Sequence, residues 1–144
     1  MNLYVKINSI KYSIISYSYR LNNVDLDTKI SHLFSCVVVS DNAVISVSDT
    51  IELYSDDVLI YSDPINSVIQ NGTKFNIRSE KTVNIPASKE NIIPALLYYS
   101  STTLRVPLDF DIMPLDTLTT PSGTFTASTV INYNIYTEVT IGQS

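Results

Sequence analysis

Few residues in this 144-residue chain have the chemistry to make or break bonds. His32 and Cys36 are its only histidine and cysteine, and together they are the materials of a nucleophile–base pair. Residues four apart share one face of a strand, but they lie about 13 Å apart along it, too far for proton transfer. Two potential ligands also fall short of the four Cys or His of a structural zinc site. The pair therefore reads as a small buried thiol and a histidine at the entry to a strand.

Carboxylates offer more. Two Asp-x-Asp elements occur, Asp25-Leu26-Asp27 and Asp109-Phe110-Asp111, with Asp116 close to the second. On a strand, residues two apart point to the same side, so Asp109, Asp111 and Asp116 are the candidates for a hard cation such as calcium. The same pairs could serve as an acid and a base in hydrolysis. Neither element is followed by the Gly and Glu of a calcium-binding helix–loop–helix. Asp is also what loop ends select, because its side chain bonds its own backbone. The solvated-loop reading is the expected one, and it assigns no catalytic, cofactor or metal residue.

Phosphate chemistry is not supported either. Three isolated glycines cannot compose a P-loop or a dinucleotide-binding turn, and there is no G-x-S-x-G elbow. Ten tyrosines could form a sugar- or protein-binding surface. Of these, Tyr17, Tyr19, Tyr54 and Tyr61 fall where the core face of a strand is expected.

Charge narrows the partners. The net charge is −5, the isoelectric point is about 4.6, and the nine basic residues are scattered singly from Lys6 to Arg105. Nucleic acid needs a clustered basic footprint, so no nucleic-acid binding is expected. One cysteine cannot form an internal disulfide. The N-terminus alternates from Leu3 through Val5 to Ile7, unlike a signal peptide. The longest apolar run, residues 92–99, is broken by Pro94 and is far short of the ~18 residues of a membrane helix. A soluble protein made in a cytoplasm, with no membrane segment, is expected. Asn71-Gly72-Thr73 is a sequon that reads as a turn.

The elements that must position these residues are strands. Ile (18), Val (13) and Thr (14) abound, whereas Ala (4) and Glu (4) are scarce. β-branched residues fit a pleated surface, and mean hydropathy of +0.13 provides a core. Alternation predicts strands at residues 3–7 and 15–21, with Ile15, Tyr17, Tyr19 and Leu21 inward and a break from Asn22 to Asp25. Residues 33–39 are apolar on both faces, as in a central strand. Residues 51–54 and 58–61 flank a polar turn, and Asn71-Gly72 predicts a second hairpin with a type I′ turn. Strands return at 104–106, 117–119, 124–130 and 133–141, where Ile135, Thr137, Val139 and Ile141 share a face. Residues 87–100 are the one stretch that could hold a short helix, with Pro94 arguing equally for a loop. The predicted fold is all-β: a compact β-sandwich or split β-barrel of antiparallel strands. It forms a single domain over 1–144, with two possible sub-layers, 1–85 and 104–144, joined by 86–103.

Tyr12-Ser13-Ile14-Ile15-Ser16-Tyr17-Ser18-Tyr19-Arg20-Leu21, then Phe34-Ser35-Cys36-Val37-Val38-Val39, are followed by Ile45-Ser46-Val47-Ser48-Asp49-Thr50-Ile51-Glu52-Leu53-Tyr54 and Val58-Leu59-Ile60-Tyr61-Ser62-Asp63-Pro64. This order resembles the β-domain of bacteriophage tail-hub and baseplate proteins. The stretches Leu104-Arg105-Val106-Pro107-Leu108-Asp109, Met113-Pro114-Leu115-Asp116-Thr117-Leu118 and Ile131-Asn132-Tyr133-Asn134-Ile135-Tyr136 are similar to the closing strands of such proteins. The resemblance implies a structural virion protein, without catalysis or cofactor. Its partners would be copies of itself, arranged in a ring, and neighbouring tail or baseplate proteins. A receptor- or carbohydrate-binding β-sandwich is the alternative expectation, and a small hydrolase built on Asp109 and Asp111 a third.

Overall fold

The computed structural model describes residues 2–141, and all of its regular structure is strand. Fourteen strands follow one another: β1 (Leu3–Ile7), β2 (Ile10–Ser13), β3 (Ser16–Val24), β4 (Lys29–Val39), β5 (Thr50–Ser55), β6 (Val58–Pro64), β7 (Ser67–Asn71), β8 (Lys74–Asn84), β9 (Glu90–Ile92), β10 (Tyr98–Tyr99), β11 (Thr103–Pro107), β12 (Thr117–Thr120), β13 (Gly123–Asn132) and β14 (Tyr136–Ile141). The all-β expectation holds. The stretch 87–100 forms no helix: it carries β9 and β10 between irregular turns. The chain divides into two compact units, residues 2–18 with 33–81, and residues 19–32 with 82–141. The long strands β3, β4 and β8 each contribute residues to both.

The first unit is a sandwich. One antiparallel sheet runs in the order β2-β1-β5-β6, and the other sheet contributes β3-β4-β8-β7. Val5, Ile7, Ile51, Leu53 and Tyr61 of the first sheet are buried, as are Phe34, Val38, Phe75 and Ile77 of the second. The Phe34 and Tyr61 rings meet across this core at 5.7 Å. Burying such a side chain is worth about 1.5–3 kcal/mol, so these residues dominate the unit's cohesion.

Two-residue turns set its register. Asn8-Ser9 and Asp56-Asp57 both have positive φ at each position (51° and 69°, 48° and 66°), the type I′ geometry that matches strand twist. The third turn differs from the sequence expectation. Asn71 pairs with Lys74, so Gly72 and Thr73 form the loop, and of the two only Gly72 has positive φ, at 62°. That is the type II′ pattern, with glycine first. Moving the turn by one residue shifts each cross-strand partner by two. Faces are therefore preserved, and Phe75 and Ile77 still point inward.

Two further expectations change. Ile15 lies just before β3 and is exposed, while Tyr17, Tyr19 and Leu21 are buried as expected. β4 is fully buried on one face only, through Ile30, His32, Phe34, Cys36 and Val38; its other face is half-buried.

The second unit contains the sheet order β10-β11-β14-β13 followed by the adjoining parts of β3 and β4. β13 serves two sheets. Its first residues pair with β12, and a register shift between Ala127 and Thr129 turns the rest toward β14 and β3. A bulge of this kind bends a strand and lets it change sheets. β12 also pairs with β9 in parallel, the one departure from antiparallel pairing among the described ladders. Leu104, Val106, Ile112, Leu118, Val130 and Val139 fill the core. The break expected at Asn22 falls later, at Asp25–Asp27. Asn22 remains in β3, held opposite Thr129, whose hydroxyl donates to its Oδ1 at 3.1 Å. Ile135 is exposed in the turn before β14, whereas Thr137, Val139 and Ile141 are buried.

Candidate functional site

Of the aspartates singled out in the sequence, Asp116 alone is buried, at 1% exposure. A carboxylate so placed must be compensated by donors. Asp116 Oδ2 accepts from Lys89 Nζ at 2.7 Å, Asn91 Nδ2 at 2.9 Å and the Met113 amide at 3.0 Å. Its Oδ1 accepts from the Lys89 amide at 3.1 Å. The Lys89 ammonium also donates to the Asp111 carbonyl. Main-chain bonds close the knot, with the Thr117 amide donating to Lys89 O and the Ala127 amide to Asp116 O, both at 2.9 Å. Asp116 thus fastens the irregular segment 108–116 to the entry of β9. Its lone pairs are committed to four donors, which suits a structural anchor.

Asp109 and Asp111 do not sit on a strand. They lie in the loop after β11, where the Asp111 amide donates to Asp109 Oδ1 at 2.9 Å. This is the aspartate-capped turn of the loop reading. The Asp109 amide donates to Thr137 Oγ1 at 2.8 Å, and Thr137 Oγ1 donates to Asn132 Oδ1 at 2.7 Å. Asp25, Leu26 and Asp27 all have positive φ in the β3–β4 turn, and Leu26 is 98% exposed. Among the described residues, no three His, Cys, Asp or Glu side chains are grouped to hold a metal ion.

His32 and Cys36 share the buried face of β4, with Phe34 between them in sequence. They belong to different units. The Tyr19 hydroxyl and His32 Nδ1 share a 2.6 Å hydrogen bond. Cys36 is buried, and loss of solvation pushes its thiol up to about 12, far from the thiolate a nucleophile requires.

The tyrosines divide by environment. Burial pushes Tyr17 and Tyr61 up to about 12. Ser79 Oγ donates its single proton to Pro64 O at 2.7 Å, so the Tyr61 hydroxyl, 2.8 Å away, donates to Ser79. Tyr54 is half-buried and stacks on buried Tyr4 at 5.1 Å. The Tyr4 hydroxyl donates to Asp57 Oδ1 at 2.7 Å; that bond, with burial, raises it to about 12.

One exposed cluster remains, on β10, β11 and β14. The Arg105 guanidinium lies 5.1 Å from the Tyr98 ring centre and 5.3 Å from that of Tyr136. Arg105 Nε donates to Glu138 Oε2 at 3.0 Å, which raises the Arg105 pKa further. Tyr98 is about half exposed (47%). Sequence reasoning overlooked this cluster, and also Lys89 and Asn91. The register that sets Arg105 opposite Glu138 joins strands far apart in the chain, although Tyr98 pairs with Arg105 within a local hairpin. Lys89 lies in the stretch read as helix or loop, where no period marks a buried partner.

No family model matches the chain, and no curated protein matches it.

Proposed function

We propose that the chain is a structural protein of a bacteriophage-like tail or baseplate, a hub or minor tail component with no catalytic step of its own. Copies assemble into a ring through strand contacts and sit in the virion beside other tail or baseplate proteins. The observation that supports this reading is the placement of apolar side chains on turns and outer strands. Leu26 is 98% exposed, Val44 84%, Ile135 77% and Ile92 73%. Scattered singly, such residues are ordinary; at loop tips and edges they suit contacts with further subunits. The resemblance in strand order points the same way. Mass spectrometry of purified particles, with native mass measurement of the isolated protein, tests the proposal. The chain is expected in particles and as a multimer; a strict monomer absent from virions overturns it.

The Arg105 cluster favours a second reading, a receptor- or carbohydrate-binding module. Half-exposed tyrosine with arginine and carboxylate beside it combines an apolar surface with fixed donors and acceptors. A glycan array separates the two. Binding that Tyr98→Ala abolishes favours the module.

A further inference from the structure

We infer that β7 is a self-pairing edge, through which two copies of the chain join antiparallel about a two-fold axis at Ile69. Among the described strands β7 pairs only with β8, so its other side is open. The two-residue loop makes Asn71 and Lys74 a hydrogen-bonded pair, and Ile69 with Asn76 the next. The backbone groups of Val68 and Gln70 consequently face outward. One self-matching register pairs both outward residues of the strand: Val68 opposite Gln70 of the second copy, Gln70 opposite its Val68, and Ile69 opposite Ile69. The outward groups then make about four main-chain bonds. The two Ile69 side chains meet in the non-hydrogen-bonded position, where side chains approach most closely. Ile69 is 59% exposed and available for this contact.

Charge singles out β7 among the outer strands of the first unit. A two-fold contact sets identical residues near one another, so any charge at its centre faces its own kind. Ser67-Val68-Ile69-Gln70-Asn71 carries neither charge nor proline. The other outer strands of the first unit are blunted: β2 carries Lys11, and β6 carries Asp63 and ends on Pro64. The contact is small, so it belongs to the weak, reversible class. It joins copies in pairs and is independent of ring closure and of the virion reading.

Sedimentation over a concentration series, at low and high salt, tests the inference. A reversible dimer is expected, undiminished by salt because no ion pair holds it and screening relieves the −5 charge of each chain. Gln70→Pro removes an outward N–H that β8 does not use, and Ile69→Lys sets two ammonium groups face to face. Each variant is expected to keep its far-UV circular dichroism and to lack the concentration-dependent pairing that the parent shows. In the parent, hydrogen exchange at the Val68 and Gln70 amides is expected to slow as concentration rises, a readout that needs no substitution. A parent that stays monomeric throughout overturns the inference, as does a dimer that survives either substitution or leaves those amides unprotected.

Discussion

The two units solve the problem of burial differently. Tyrosine hydroxyls apart, Ser79 is the one buried polar side chain of the first among the described residues; in the second, His32, Asp116, Asn132 and Thr137 are all buried. Connections explain the contrast. In the first unit β1–β2, β5–β6 and β7–β8 are joined by two-residue turns, which leave little backbone to satisfy, and the long connection 40–49 buries only Ile45. The second unit carries the irregular segment 108–116 over its core, with Ile112 and Pro114 buried within it. A buried loop brings unpaired amides and carbonyls with it. Asp116 and Thr137 supply the acceptors for that backbone. Asp116 and Thr137 thus serve the loop, while His32 bonds the Tyr19 hydroxyl and Asn132 bonds Tyr19 O and Thr137; apolar packing holds the hairpins of the first unit.

Substitutions break the comparison in order of size. Phe34→Ala opens a cavity against Tyr61 and is expected to cost about 3–5 kcal/mol. Hydrogen exchange is expected to accelerate in β5, β6 and β8 above all. Asp116→Ala removes the acceptor of four donors at once. Because the Lys89 side chain is 45% exposed, its charge regains water, which places the cost at about 3 kcal/mol, the lower end for a broken buried pair. Faster exchange is expected at residues 89–91 and 108–116, with the β5–β6 hairpin unchanged. If both variants loosen the same amides equally, the two units do not differ in this way.

Alkali probes the contrast without mutation and has no effect at neutral pH. Tyr4, Tyr17 and Tyr61 all belong to the first unit, and each is raised from 10 to about 12. Below pH 10 they are neutral in the folded and unfolded chain alike. Between 10 and about 12 the unfolded chain releases protons that the folded chain keeps, so stability falls as pH rises. Phenolate absorbance is expected to rise in two stages, the exposed tyrosines first and these three with loss of the first unit's structure. A single stage near pH 10 with the fold intact would remove the buried tyrosines from the account.

Much of the strand pattern was legible because alternation is local. β1, β5 and β11 fall where Leu, Val and Ile alternate with other residues, β6 was marked by the polar turn before it, and Asp56-Asp57 turns where expected. The Gly72 hairpin was legible, but its turn was not, since both placements of the loop leave Phe75 and Ile77 on one face. Asp116 resembled Asp109 and Asp111 in sequence. What separates them is Lys89 and Asn91, 27 and 25 positions away, whose approach depends on the parallel pairing of β9 with β12. No local signal encodes that pairing. Likewise Asn22 and Asn23 read as a break, because their turn propensity is intrinsic while the partner strand β13 is remote.

Cys36 gives the molecule a built-in reporter. It is the chain's one thiol, 3% exposed in the first unit, with its ionisation pushed up to about 12. A thiol reagent at neutral pH therefore finds no competing site and reacts only in molecules that have opened around β4. The labelling rate, followed against denaturant, measures the opening free energy of that half of the protein directly, without an engineered cysteine.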